Sequence, residues 1–202
     1  MNERLSIPAL FLAACAVAAI AWSSPARPAD IADDSIILVA KRQLQDRLYG
    51  STILIARPIG AGRHVGFIIN KPTQITLGEL FPTHEPSRKV TDPVFLGGPV
   101  SPEVIFALVQ GRESPGGGSI RILDDLYLAI DGDVVDRVIE KQSSQARFFA
   151  GMVLWRPGEL TDEVKRGLWY VHDARADTVL RKPTESLWEE LVSRSERKAN
   201  SI

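Results

Sequence analysis

From position 36 onward the chain is a succession of short apolar runs rich in β-branched residues, separated by glycine, proline and charge. Ile36–Ala40, Ser51–Ala56, Val65–Asn70, Val94–Leu96, Ile105–Val109, Ile120–Leu123, Leu126–Ile130 and Phe148–Trp155 each read as a buried strand. Helical periodicity is rarer and comes late. Asp131-Gly-Asp133 caps a predicted helix through Val134, Val135, Val138 and Ile139, which share one face. Thr161 is the predicted cap of a second helix ending near Gly167, with Asp162 and Glu163 placed where the helix dipole favours acids. A third follows Pro183, with Leu187, Trp188, Leu191 and Val192 on one side. Strands that mostly follow strands, with helices late, predict an α+β domain instead of a βαβ alternation.

The first residues follow a different pattern. Arg4 precedes an almost unbroken apolar run from Ile7 to Trp22, and Ser24 and Ala26 supply the small residues a signal peptidase requires. The layout predicts an export signal over 1–26, cleaved after Ala26, then a linker over 27–35 and a single domain over 36–202. Two alternatives accompany it. Sixteen apolar residues at about 1.5 Å each reach roughly 24 Å, short of the ~30 Å hydrocarbon core, which argues against a retained membrane anchor. Lipidation at Cys15, after Leu12-Ala-Ala14, would leave an apolar tail from Ala16 to Trp22 instead of a polar tether. The predicted location is periplasmic or otherwise exported, with membrane contact only through an uncleaved or lipidated leader.

Composition narrows the chemistry. Cys15 is the only cysteine and lies in the leader, so the domain has no thiol nucleophile, disulfide or cysteine-based zinc site. Lys and Arg total 24 against 25 Asp and Glu, a net charge of −1, and the leader carries one of each, so its removal leaves the balance unchanged. The basic pairs Lys41-Arg42, Arg63-His64 and Arg88-Lys89 are scattered among acids, which opposes a nucleic-acid partner.

Candidate catalytic motifs fare no better. Gly60-Ala-Gly62-Arg-His-Val-Gly66 places its third glycine one position late and at the start of a strand, so it predicts a hairpin turn instead of a dinucleotide fingerprint. Arg112–Ser119, with Gly116-Gly-Gly118, is a flexible loop lacking the lysine of a phosphate loop. His64, His84 and His172 fall in separate segments and predict solvent-facing or hydrogen-bonded side chains unless the fold brings one beside a carboxylate. Asp124-Asp125 and Asp131/Asp133 sit where turns and a helix cap already require aspartate. The residues support no catalytic group, cofactor or metal site.

Three turns remain: Asn70-Lys71-Pro72, Gly97-Gly98-Pro99-Val100 and Trp155-Arg-Pro157-Gly158-Glu159-Leu160. With their flanks, Gly66-Phe-Ile-Ile-Asn70-Lys71-Pro72, Phe95-Leu-Gly97-Gly98-Pro99-Val100 and Ala150–Leu160 followed by Glu163 and Trp169, the chain resembles the AlgH family of bacterial proteins from about Ile36 to Val192. Lys71 stands where that family usually has Arg, Glu159 where it has Gln, and Met152 where it has an aromatic. The resemblance implies a mixed, bifurcated sheet that closes into a partial barrel flanked by helices. It also implies a cytosolic protein, which the leader opposes.

The functional expectation is a non-enzymatic binding or regulatory module, with a protein or small ligand as partner. Its candidate surface is Asn70, Lys71, Pro72, Gly97, Gly98, Pro99, Trp155, Pro157, Gly158, Glu159 and Trp169, residues that otherwise only define the fold. The alternatives are a hydrolase or transferase whose groups assemble in three dimensions, and a transcriptional regulator, a label sometimes attached to the family.

Overall fold

The computed structural model describes residues 34–200, so the leader, Cys15 and all but the end of the linker lie outside the described residues. In chain order the elements are β1 (Ile36–Ala40), β2 (Ile53–Pro58), β3 (His64–Ile68), β4 (Pro72–Thr76), α1 (Leu77–Leu80), α2 (Glu85–Arg88), β5 (Pro93–Leu96) and β6 (Val100–Gln110), then β7 (Ser119–Leu123), β8 (Leu126–Ala129), α3 (Gly132–Gln142), a 3₁₀ turn (Ser143–Gln145), β9 (Ala146–Trp155), α4 (Glu159–Lys165), β10 (Trp169–Asp173), α5 (Ala176–Val179) and α6 (Leu187–Ala199).

The strands make one ten-stranded sheet in the order β10-β1-β2-β3-β9-β6-β8-β7, with β4 pairing β5 and β5 pairing β9. Strand β9 is where it divides. Its C-terminal half pairs antiparallel with β3, through Gly66↔Val153 and His64↔Trp155. Its N-terminal half pairs parallel with β5 and antiparallel with β6. Between the halves stands Gly151, at φ +70°. Ten strands that curl around a split strand give an α+β half-barrel, the architecture the resemblance implied.

Three apolar clusters follow from this curl. The largest lies inside it, where Phe67, Phe106 and Phe149 meet Leu187, Leu191 and Val192 of α6. A second packs α3, through Val134, Val135, Val138 and Ile139, onto β6, β8 and β9. The third seats α4 through Leu160 against β1, β2, β3 and the two tryptophans Trp155 and Trp169.

Several boundaries differ from those the sequence predicts, each for a local reason. The run beginning at Ser51 enters its strand only at Ile53, because Ser51 sits at φ +57°. Gly158, at φ +83°, turns the chain straight into α4 at Glu159, so Thr161 lies inside the helix and does not cap it. The strand expected over Ile105–Val109 is continued back to Val100 by a register shift around Ser101, another residue at positive φ. Strand β9 starts two residues early, at Ala146, and carries Arg147 into the interior. Elements β4, β10, α1, α2 and α5 had no sequence prediction.

Candidate functional site

The three motif turns fall at two places. Asn70-Lys71-Pro72 and Gly97-Gly98-Pro99 meet at one end of β3: the Leu96 N–H donates to the Lys71 carbonyl (2.9 Å) and the Ile68 N–H to the Gly97 carbonyl (2.9 Å). Trp155–Leu160 lies past the opposite end, beside the Gly60–Gly62 hairpin, where Gly62 approaches Pro157. The five residues of β3, roughly 17 Å, separate the two ends. The turns therefore form no single surface.

Most of their side chains are turned to internal work. Asn70 Oδ1 accepts from the Ile53 N–H (2.7 Å) and its Nδ2 donates to the Ser51 carbonyl (3.0 Å), which pins the left-handed Ser51 corner at the start of β2. A Cβ at Gly97 would lie inside the Gly151 carbonyl oxygen, and one at Gly98 inside the Met152 carbonyl, so only glycine lets these backbones touch where the sheet divides. The Trp155 ring covers Gly66, where a Cβ would come within 2.6 Å of it. The late third glycine is thus a seat for tryptophan. Glu163 Oε2 accepts from both indole N–H groups, Trp155 Nε1 (3.1 Å) and Trp169 Nε1 (2.8 Å). Glu159 Oε2 accepts from the Arg156 N–H (2.9 Å), a role that needs only an acceptor and that a glutamine fills equally well. The side chains of Lys71 and Arg156 make no hydrogen bond or ion pair among the described residues; Pro72, Pro99, Pro157 and Gly158 present surface.

The histidines do not converge. His64 corrects the expectation of a solvent-facing or hydrogen-bonded ring: it is 7% exposed, and neither ring nitrogen has a hydrogen-bond partner. Burial pushes its pKa down, with the nearby Gly62 backbone working the other way. His84 Nδ1 bonds Ser87 Oγ (2.7 Å) at the start of α2. His172 lines a polar hollow of about 400 Å³ beside Asp173, the arrangement that would favour a hydrolase. Its Nε2 lies 2.9 Å from Ser195 Oγ, but that hydroxyl donates its one hydrogen to the Leu191 carbonyl (2.7 Å). The bond therefore runs from His172 Nε2–H to Ser195 Oγ, the reverse of a base activating a nucleophile.

The aspartate pairs have turn and cap duties. Asp131 accepts from the Asp133 N–H at the start of α3, Asp124 pairs with Arg121, and Asp125 accepts from Gln110. Among the described residues no three His, Cys, Asp or Glu side chains cluster in a metal-binding arrangement, and no helix is long and apolar enough to cross a membrane.

Sequence reasoning missed Arg147. It is 3% exposed, donates to the carbonyls of Ile69 (3.0 Å), Val179 (2.8 Å) and Arg181, and stacks its guanidinium 4.5 Å from the centre of the Phe95 ring. Burial lowers its pKa to about 10 against the opposing field of Asp92, so it stays charged at neutral pH. A lone cation inside the apolar run Ala146–Phe149 was its only sequence signal.

A curled, divided sheet held by inward-facing motif turns defines a class of small α+β half-barrels. Within that class the chain belongs to the AlgH-like family, whose sequence model matches residues 37–200. UPF0301 proteins of Magnetococcus marinus and Myxococcus xanthus are each 30% identical to it, over 77% and 76% of this chain and 84% and 85% of their own. One from Parabacteroides distasonis is 28% identical over 77% of this chain and 79% of its own. Two solved structures share the fold: protein DIP2367 of Corynebacterium diphtheriae (TM-score 0.67, 18% identity, 82% and 88% of the two chains) and the AlgH protein of Pseudomonas aeruginosa (TM-score 0.65, 21% identity, 81% and 87%).

Proposed function

We propose that this AlgH-like chain is a non-catalytic binding module that docks a protein partner at the end of the half-barrel where the Asn70 and Gly97 turns meet. The observation that carries the reading is the surface there. Immediately after Lys71 and Pro72, Ile75, Leu80 and Phe81 are 47%, 41% and 40% exposed, on a strand paired only with β5 and the short helix that follows it. An unpaired cation at the start of β4, with exposed apolar side chains further along that strand and the helix after it, suits a partner that offers an acidic group and an apolar face. The reversed His172–Ser195 bond supports binding over catalysis, and the scattered cations support a protein over nucleic acid. Action outside the cytoplasm belongs to the same proposal and rests on the pattern of residues 1–26.

The test is capture of partners from the source cell's envelope fraction by the native chain and by Lys71→Glu/Phe81→Ser. Leu154→Ser serves as a control, since Leu154 is 43% exposed on β9. A partner lost only with the first variant, at unchanged melting temperature, supports the reading. Identical capture by all three overturns it. N-terminal sequencing after fractionation tests export: a chain beginning at Arg27 in the periplasm supports it, and an intact Met1 in the cytoplasm overturns it.

A further inference from the structure

The hollow that holds His172 has a second property, independent of the proposed docking end. Its floor is apolar, made by Ile37 of β1 and Leu191 of α6. Its rim is cationic: Arg175 enters from the start of α5, and Arg194 and Lys198 from successive turns of α6, against the single carboxylate of Asp173. The acids that would ordinarily neutralise α6 are engaged elsewhere. Glu189 and Glu196 are both held by Arg42 (2.7 and 3.1 Å), and Glu190, one turn before Arg194, is held by Arg181 (2.7 Å). Arg175 is paired with Asp177 (2.8 Å). Arg194 and Lys198 are left without a salt bridge among the described residues, and both face the hollow.

We propose that this hollow is a binding site for a small oxyanion, a phosphate or carboxylate group, held by Arg194 and Lys198 with His172 at its edge. Guanidinium and ammonium together give a fork and a point charge, the pair of donors that such a group takes up. The apolar floor accommodates a short hydrocarbon body attached to it.

The state of His172 fits. Burial first, then the fields of Arg194 and Lys198, lower its pKa, while Asp173 opposes them. The charged groups facing it are Asp173 on its own strand, Arg175 ahead of α5, and Arg194 and Lys198 on α6; β1 contributes Ile37. A bound anion offsets the two α6 cations and so favours the imidazolium. Binding and proton uptake are therefore coupled, and affinity rises as pH falls towards and below 6.5.

The experiment is a titration of the full chain with inorganic phosphate, and separately with acetate, at constant ionic strength, followed through the His172 ring resonances. The expected result is a saturable shift with at least one of the two, weakened about tenfold or more in Arg194→Gln/Lys198→Gln. Phosphate and acetate arms tell which oxyanion is preferred. Arg156→Gln/Lys165→Gln, on the exposed flank of α4, is expected to leave it unchanged. All four side chains are exposed, and the spectra report whether each variant is folded. A response to neither anion overturns the proposal, as does unchanged affinity in the α6 variant or equal weakening in the α4 variant.

Discussion

Glu163 joins two tryptophans through one oxygen, and its removal offers a quantitative test of how the α4 side of the half-barrel is held. Trp155 and Trp169 are 4% and 5% exposed, and their indole N–H groups both end on Glu163 Oε2 at 3.1 and 2.8 Å. Glu163→Ala leaves both donors unpaired. Each such group costs about 1–3 kcal/mol, so the pair sets a range of roughly 2–6. Because Glu163 is itself partly exposed, water substitutes in part and the lower end applies, about 2–3 kcal/mol. Glu163→Gln keeps a carbonyl oxygen at the same position and forfeits only the charge assistance, about 1 kcal/mol. Urea unfolding followed by tryptophan fluorescence and by circular dichroism measures both. A loss below about 0.5 kcal/mol for the alanine variant, or equal losses for alanine and glutamine, would refute the shared-acceptor account.

Gly97→Ala brings its new methyl into the Gly151 carbonyl, where backbone meets backbone, and is expected to lower the urea midpoint severely or prevent folding. Gly132→Ala, at the first position of α3 with nothing within 4 Å of the added carbon, is expected to stabilise by about 0.5–1 kcal/mol in the same assay. Arg147→Lys replaces a fork that holds three carbonyls by a point charge, and a loss of about 2–4 kcal/mol is expected, with faster amide exchange in the segment around Val179–Arg181. His64 has its folded pKa below the unfolded value of 6.5, so the unfolded chain binds the extra proton first as pH falls. Stability is therefore full above 6.5 and declines as pH drops through and below it, and part of that slope disappears in His64→Leu; a slope unchanged by the substitution refutes the assignment to His64.

The strands that the sequence revealed are those whose burial is visible in their own composition. Ile36–Ala40, Val94–Leu96 and Leu126–Ala129 are buried almost throughout, so a short unbroken apolar run is all that is needed to recognise them. The helical faces of α3 and α6 were legible for the same reason, since apolar spacing is a local property. Strand β4 was not, because Pro72-Thr-Gln-Ile-Thr76 is largely exposed and takes its geometry from β5 alone. The helix α1 did carry a local signal, the Thr76–Glu79 capping box, but its four residues are too few to show a period. The division of β9 among three partners depends on contacts some forty to ninety positions away in the chain. No window along the sequence contains it.

The candidate site divides along the same line. The three motif blocks were easy to find because glycines, prolines and tryptophans in fixed order are unusual, and the structure shows what most of them do. Gly66 admits the Trp155 ring, Gly97 and Gly98 admit the β9 backbone, Asn70 holds the β2 corner, and Glu163 closes over two indoles. Residues this committed to internal contacts identify the fold and leave little of themselves for a ligand. Both proposals accordingly place recognition on groups that the fold does not consume: Lys71 and the exposed apolar residues that follow it along β4 and α1, and Arg194 and Lys198 on α6. Those cations drew no attention in the sequence because an Arg or Lys near a helix C-terminus is ordinary. What distinguishes them is that Arg42 and Arg181, from distant segments, have taken the acids of the same helix, and only the folded chain brings those partners together.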